Sequence, residues 1–213
     1  MSDDPLFAAP SSWVQGLLDL QRDLLDPGGP RISTMRNQRL ALCLYPMAEE
    51  FALRRRVHDL SQALLRAGWI VRDLSLQHAV QTRLAARPAE ARAALEARER
   101  RLVVRDAPRA LQYLCDQVTP VLEGVDGVAR VVAGEIQSLV DAHPQQQDRT
   151  VVFLSRVWAL YPFVRVSALL KHLAGKTHHV SVVVLYPGTR QGEGLSLLGQ
   201  LDADRDYRPR IYP

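Results

Sequence analysis

Lysine is almost missing from this 213-residue chain. Lys171 and Lys176 are the only two, and the other 25 of its 27 basic residues are arginine. With so little lysine, a nuclease-type Asp…Glu-x-Lys cluster is absent. Cysteine is equally sparse: Cys43 and Cys115 sit in apolar stretches without metal-ligand spacing. That excludes a disulfide framework and reads as two buried thiols in a reducing compartment. No apolar run approaches the ~18 residues a bilayer span requires, the best candidate, 151–164, being broken by Arg156. The N-terminus has no basic stretch followed by an apolar core, so no signal peptide is read there. A soluble, cytoplasmic protein without membrane contact is the expectation.

What is present fits one folded domain spanning 1–213 with an elaboration. Hydrophobic residues make up 47% and charged residues 23%, which excludes disordered and collagen-like classes. The net charge of +4 permits nucleic-acid contact without indicating it. Trp13, Leu17, Leu20 and Leu24 recur at helical spacing over 12–25, and the run Asp26-Pro27-Gly28-Gly29-Pro30 closes that helix. A strand is expected over 39–45, a helix over 48–67 stopped by Gly68, and a second strand over 69–74. Strand–helix–strand order implies parallel pairing. From about 75 to 142 the pattern is helical almost throughout, with segments expected over 76–86, 88–104, 107–122 and 128–142. Strands over 151–154 and 180–186 flank a helix expected over 161–174, and 207–212 is a candidate edge strand despite Pro209. The predicted fold is therefore α/β: a mostly parallel central sheet of 4–5 strands flanked by helices, with a helical insertion at about 75–142 between the second and third strands.

Few motifs carry chemistry. Gly175-Lys176-Thr177 resembles the end of a phosphate-binding loop, but Leu170 stands where that loop needs glycine and the segment follows a helix instead of a strand. A helix stop at Gly175 is the better reading. His172, His178 and His179 lack a cysteine or paired carboxylate at ligand spacing, so no metal site is predicted. Ser155 ends a strand without the surroundings of a nucleophile elbow. No catalytic residue and no cofactor is predicted.

The strand ends say more. Tyr45-Pro46, Tyr161-Pro162 and Tyr186-Pro187-Gly188 each fall at or just after the C-terminal end of a predicted strand. In an open parallel sheet those ends line the crevice where ligands or partners bind; aromatic-proline pairs also serve simply as rigid strand terminators. Arg165 falls in the first turn of the predicted helix, where the dipole disfavours a cation, which points to a specific partner or, more plainly, to a salt bridge. Between Arg83 and Arg109 there are eight arginines against Glu90, Glu96, Glu99 and Asp106. Arg98, Arg101 and Arg105 share one helix face beside a Leu95/Leu102 stripe, either as a docking face or as a solvated one.

The last third carries a pattern that identifies a family. Val151-Val152-Phe153-Leu154, then Leu160-Tyr161-Pro162-Phe163-Val164-Arg165 and Leu169-Leu170, then Val183-Val184-Leu185-Tyr186-Pro187-Gly188, Gly192, Leu195-Ser196-Leu197 and Tyr207-Arg208 resemble the BrxB family. Two departures stand out. This chain has Arg156 and Trp158 where the family tends to carry glycines, and Asp206-Tyr207-Arg208-Pro209 where it tends to close on a doubled tyrosine. The resemblance implies an accessory component of a BREX phage-defence system without established catalytic residues. It implies a non-enzymatic adaptor that binds a larger system protein, foremost the PglZ-like alkaline-phosphatase-family component. The expected partner-binding residues are Tyr161, Arg165, Tyr186, Pro187, Gly188, Tyr207 and Arg208, with Arg98, Arg101 and Arg105 as a basic docking face. The alternative is a nucleic-acid- or nucleotide-binding accessory module of the same system, which would show salt-sensitive DNA binding.

Overall fold

Strand β1 (Leu40–Tyr45) is buried at every residue because it lies inside a sheet covered on both faces. The structure, a computed structural model, describes residues 11–32, 39–124, 126–191, 194–198 and 209–213. Its six strands are β1, β2 (Ile70–Ser75), β3 (Thr150–Ser155), β4 (Ser181–Gln191), β5 (Gly194–Leu197) and β6 (Arg210–Tyr212), with β2, β3, β4, β1 and β6 side by side in that order. All four pairings along this path are parallel. β4 pairs with β1 as far as Tyr45↔Pro187, and beyond that point it pairs antiparallel with β5.

The period of two in a strand sorts side chains between two cores. Leu40, Leu42, Leu44, Val152, Leu154, Val182, Val184 and Tyr186 face one side. Ala41, Cys43, Tyr45, Val151, Phe153, Val183 and Leu185 face the other. The second face is covered by α1 (Ser12–Leu24) and α2 (Glu50–Arg66) through Leu17, Leu20, Leu24, Leu53, Leu60 and Leu64. The first is covered by α3 (Leu76–Ala85), α6 (Val128–Ala142) and α7 (Val166–Leu173), with α5 (Ala107–Glu123) contributing Val118 and Leu122. The chain crosses from β1 to the far edge at β2 and then steps back through β3 to β4. Parallel crossovers are right-handed, so reversing the direction of travel moves the connecting helices to the opposite face.

β6 is fastened to α1 by side chains as well as by its pairing with β1. The Tyr212 hydroxyl donates to Asp23 Oδ2 at 2.7 Å, and Arg210 reaches the same oxygen at 2.7 Å. A Cβ on Gly16 of α1 would sit 2.2 Å from the Pro213 carbonyl oxygen, so the close approach of α1 to this strand requires glycine there.

Several boundaries differ from the sequence expectation. The helix expected over 161–174 begins only at Val166. Pro162 disfavours helical backbone in the residue before it, and the segment instead closes as a turn, Phe163 and Val164 donating to the Leu160 carbonyl at 2.8 and 2.9 Å. The strand expected to stop at Tyr186 continues to Gln191, because β5, which was not anticipated, supplies a new partner. The edge strand is present as Arg210–Tyr212, while Tyr207 and Arg208 lie outside the described residues. Gly68 and Gly175 do end their helices, at φ of 80° and 76°, a conformation glycine adopts without steric cost.

Cys43 lies on β1 facing the α1–α2 core, fully buried. Burial pushes its thiol from 9.0 up to about 12. The unfolded chain therefore ionises this thiol at a pH where the folded chain still holds the proton. Its contribution to stability is complete below pH 9.0 and is lost as pH rises toward 12. Urea unfolding midpoints of the native chain should fall steadily above pH 9.0. A Cys43→Ala variant should start lower and fall less steeply over the same range; parallel slopes would show that another group governs the alkaline loss.

Candidate functional site

The C-terminal ends of the parallel strands form one edge of the sheet, and the side chains there are tied down. At the end of β1, the Tyr45 hydroxyl donates to Glu50 Oε2. Arg54 holds the other carboxylate oxygen through Nε and Nη2 at 2.9 and 2.8 Å. Burial first, and then the Glu50 hydrogen bond and charge, hold the Tyr45 phenol above its ordinary value. Arg54 also stacks on Phe51, which is 71% exposed. At the ends of β2 and β3, which run in register as far as Ser75↔Ser155, Ser155 Oγ donates to Asp73 Oδ1 at 2.5 Å. A histidine would have to stand between hydroxyl and carboxylate to form a nucleophilic relay, and here the two bond directly.

The loop leaving β3 begins with Arg156 in the left-handed region, at φ 55° and ψ 41°. Only glycine adopts that conformation freely. A 3₁₀ turn, Val157–Leu160, follows and leads into a cis peptide at Tyr161-Pro162. Tyr161 is half-buried against the core, and Arg165 is exposed just before α7. Arg165 thus caps the helix instead of lying in its first turn, and among the described residues it has no salt bridge.

Tyr186, Pro187 and Gly188 are all buried. Tyr186 donates to the Leu195 carbonyl at 3.4 Å, the Pro187 carbonyl accepts from Leu198 at 2.9 Å, and Gly188 pairs with Leu197. In this structure the three residues build the β4–β5 hairpin instead of lining an open crevice. Tyr207 and Arg208 are outside the described residues. A cleft of about 370 Å³ opens beside β2, lined by Asp73, Ser75 and His78 with Thr82, Val131 and Glu135. Among the described residues no His, Cys, Asp and Glu side chains gather as a metal site; His178 bonds Gln137 at 2.9 Å instead.

The arginine-rich segment forms a helical hairpin. α4 (Ala89–Val103) packs on α5 and buries none of its residues. Arg98 lies over the Tyr113 ring at 4.9 Å, clamping the two helices together. Arg101 Nε donates to the Ala97 carbonyl at 3.1 Å. Arg105 is exposed in the turn after α4, not on its face as expected. Asp106 starts the next helix, its Oδ1 accepting from the Arg109 N–H at 3.0 Å, and Pro108 follows in the first turn. α4 must therefore end before that cap. Apolar residues accompany the charge: Val104 is 85% and Leu111 47% exposed. Neither belongs to the Leu95/Leu102 stripe, whose two residues are half-buried, Leu95 against the core.

Among the described residues no helix is long and apolar enough to cross a membrane. No solved structure matches the chain. The BREX protein BrxB of Bacillus cereus (strain H3081.97) is 34% identical over 62 residues, which is 29% of this chain and 32% of that protein; the match thus spans about a third of its length. The model of the family described as BREX protein BrxB matches residues 99–211, from the second half of α4 to β6. That stretch is more than half of the sequence and includes the β3–α7 loop, the β4–β5 hairpin and the closing strand, and the chain belongs to the BrxB family of BREX proteins.

Proposed function

We propose that this chain is a non-enzymatic assembly component of a cytoplasmic BREX anti-phage system. Its α4–α5 hairpin docks on an acidic surface of a larger BREX protein, the PglZ-like alkaline-phosphatase-family component. One observation carries this reading: α4 is a 15-residue helix with no fully buried residue. Helix formation alone is marginal at that length; Leu95 and Leu102 are half-buried, and most of the helix surface is exposed and available to another molecule. The hairpin offers guanidinium groups, suited to paired hydrogen bonds with carboxylates, around exposed Val104 and Leu111. Arginines with apolar neighbours are a composition enriched in protein interfaces. Tyr161 and Arg165 form a second contact, with Tyr207 and Arg208 as further candidates.

The test is co-expression of the tagged chain with each BREX component in turn. Capture of the PglZ-like protein in stoichiometric amount is the expected result. A monodisperse chain that captures none of the components would overturn the assembly role. A mobility shift with duplex DNA at low salt, steeply lost as salt rises, would instead assign the arginines to a phosphate backbone.

A further inference from the structure

Buried polar atoms without a hydrogen-bond partner are uncommon in folded proteins and ask for an explanation. Among the described residues, Arg83 Nε, Arg87 Nη1 and Trp158 Nε1 are three such atoms, all of them N–H donors. The arginines are not stray surface groups. Leu76, Ala79 and Val80 form the buried stripe of α3, and continuing it by threes and fours passes through Arg83 and Leu84, with Arg87 in the bend just after the helix. α3 packs against the 3₁₀ turn Val157–Leu160 that carries Trp158. Arg83 and Trp158 therefore belong to two elements in contact, with Arg87 in the bend that ends α3, and all three residues are half-buried.

Two more arginines border that turn in the chain. Arg156 leads into that turn from a left-handed backbone that costs a non-glycine residue energy, and Arg165 follows it. Among the described residues Arg83, Arg87, Arg156 and Arg165 take part in no salt bridge. The turn leaves the C-terminal end of β3, and the C-terminal edge of a parallel sheet is where α/β proteins hold anionic ligands. We infer that Arg83, Arg87 and Trp158, with Arg156 and Arg165 at the rim, form a binding site for a phosphate-type oxyanion. Guanidinium forks and an indole N–H supply donors only, so the ligand must be an acceptor carrying negative charge. This site does not include the α4–α5 hairpin, and it shares only Arg165 with the second contact proposed above.

The purified full chain is titrated with inorganic phosphate and, separately, with pyrophosphate, against sodium chloride at matched ionic strength. Thermal unfolding and calorimetry are read in parallel. A saturable rise in Tm of about 5 °C at saturating ligand is expected, with pyrophosphate tighter if the site accommodates a diphosphate and phosphate equal to it if only one group is held. The R83Q/R87Q double variant should lose the saturable rise. Its own Tm without ligand should be unchanged or higher, because two half-buried side chains with unpartnered N–H donors are replaced by neutral ones. The exposed-site variant Arg165→Ala should weaken binding several-fold and leave the ligand-free Tm in place. No saturable shift in the native chain, or an equal shift in R83Q/R87Q, would overturn the assignment.

Discussion

Reversing the charge of Arg98, Arg101 and Arg105 to glutamate is expected to lower capture of the PglZ-like component about 100-fold or more while leaving the fold in place. The estimate follows from the kind of contact proposed. Close interfacial charge pairs couple by ~1.5–7 kcal/mol each, and replacing attraction by repulsion at three positions readily exceeds the ~3 kcal/mol that corresponds to 100-fold. The fold tolerates the change because α4 has no buried residue. Two structural terms are touched: the Arg98 guanidinium over Tyr113, worth ~0.5–1 kcal/mol at an exposed site, and the exposed Arg101–Ala97 hydrogen bond, which water replaces. At ~2–4 °C per kcal/mol for a chain of this size, the Tm should fall by no more than about 4 °C. The double variant R101E/R105E spares that stack and should retain most of the loss in capture. Capture by the native chain should also weaken between low and physiological salt, as exposed charges are screened over ~8–10 Å. Unchanged capture by the triple variant would remove the hairpin from the interface.

The second large effect concerns stability. Gly188→Ala should lower the Tm by about 2–12 °C, from an overpacking cost of ~1–3 kcal/mol converted at ~2–4 °C per kcal/mol. A Cβ at this position would lie 2.2 Å from the Ser196 carbonyl oxygen and 2.7 Å from Tyr186 Cε1. Ser196 stands opposite Thr189 in the β4–β5 ladder, so its backbone cannot retreat without surrendering that pairing. The prediction separates two roles for Gly188. If it serves as a contact residue at an open crevice, the alanine variant keeps its Tm and loses partner binding. If it is the close-packed base of the hairpin, the Tm falls first. An unaltered Tm would sink the second account.

These outcomes show where the sequence was legible. The runs at 151–154 and 180–186 and the stops at Gly68 and Gly175 correspond to strands and helix ends in the structure, because period, capping and glycine conformation are local properties. The position of the arginine excess was equally plain. The surfaces were harder. Tyr186-Pro187-Gly188 reads as a strand end, yet β5 folds back over it and buries it. Arg98, Arg101 and Arg105 read as one helix face, but the Asp106 cap puts Arg105 into the turn.

By itself the sequence determined the α/β class, the long helical insertion between β2 and β3, the family, and the segment that concentrates the positive charge. Each of these is written in runs of neighbouring residues. Only the tertiary structure decided that β1 lies between β4 and β6, that α4 has no fully buried residue, and that Arg83, Arg87 and Trp158 each hold a buried N–H without a partner. Such facts depend on which distant residues meet. Tyr212 bonds Asp23 across 189 positions and Ser155 bonds Asp73 across 82. No local period records those meetings, and they settle which apolar faces are covered.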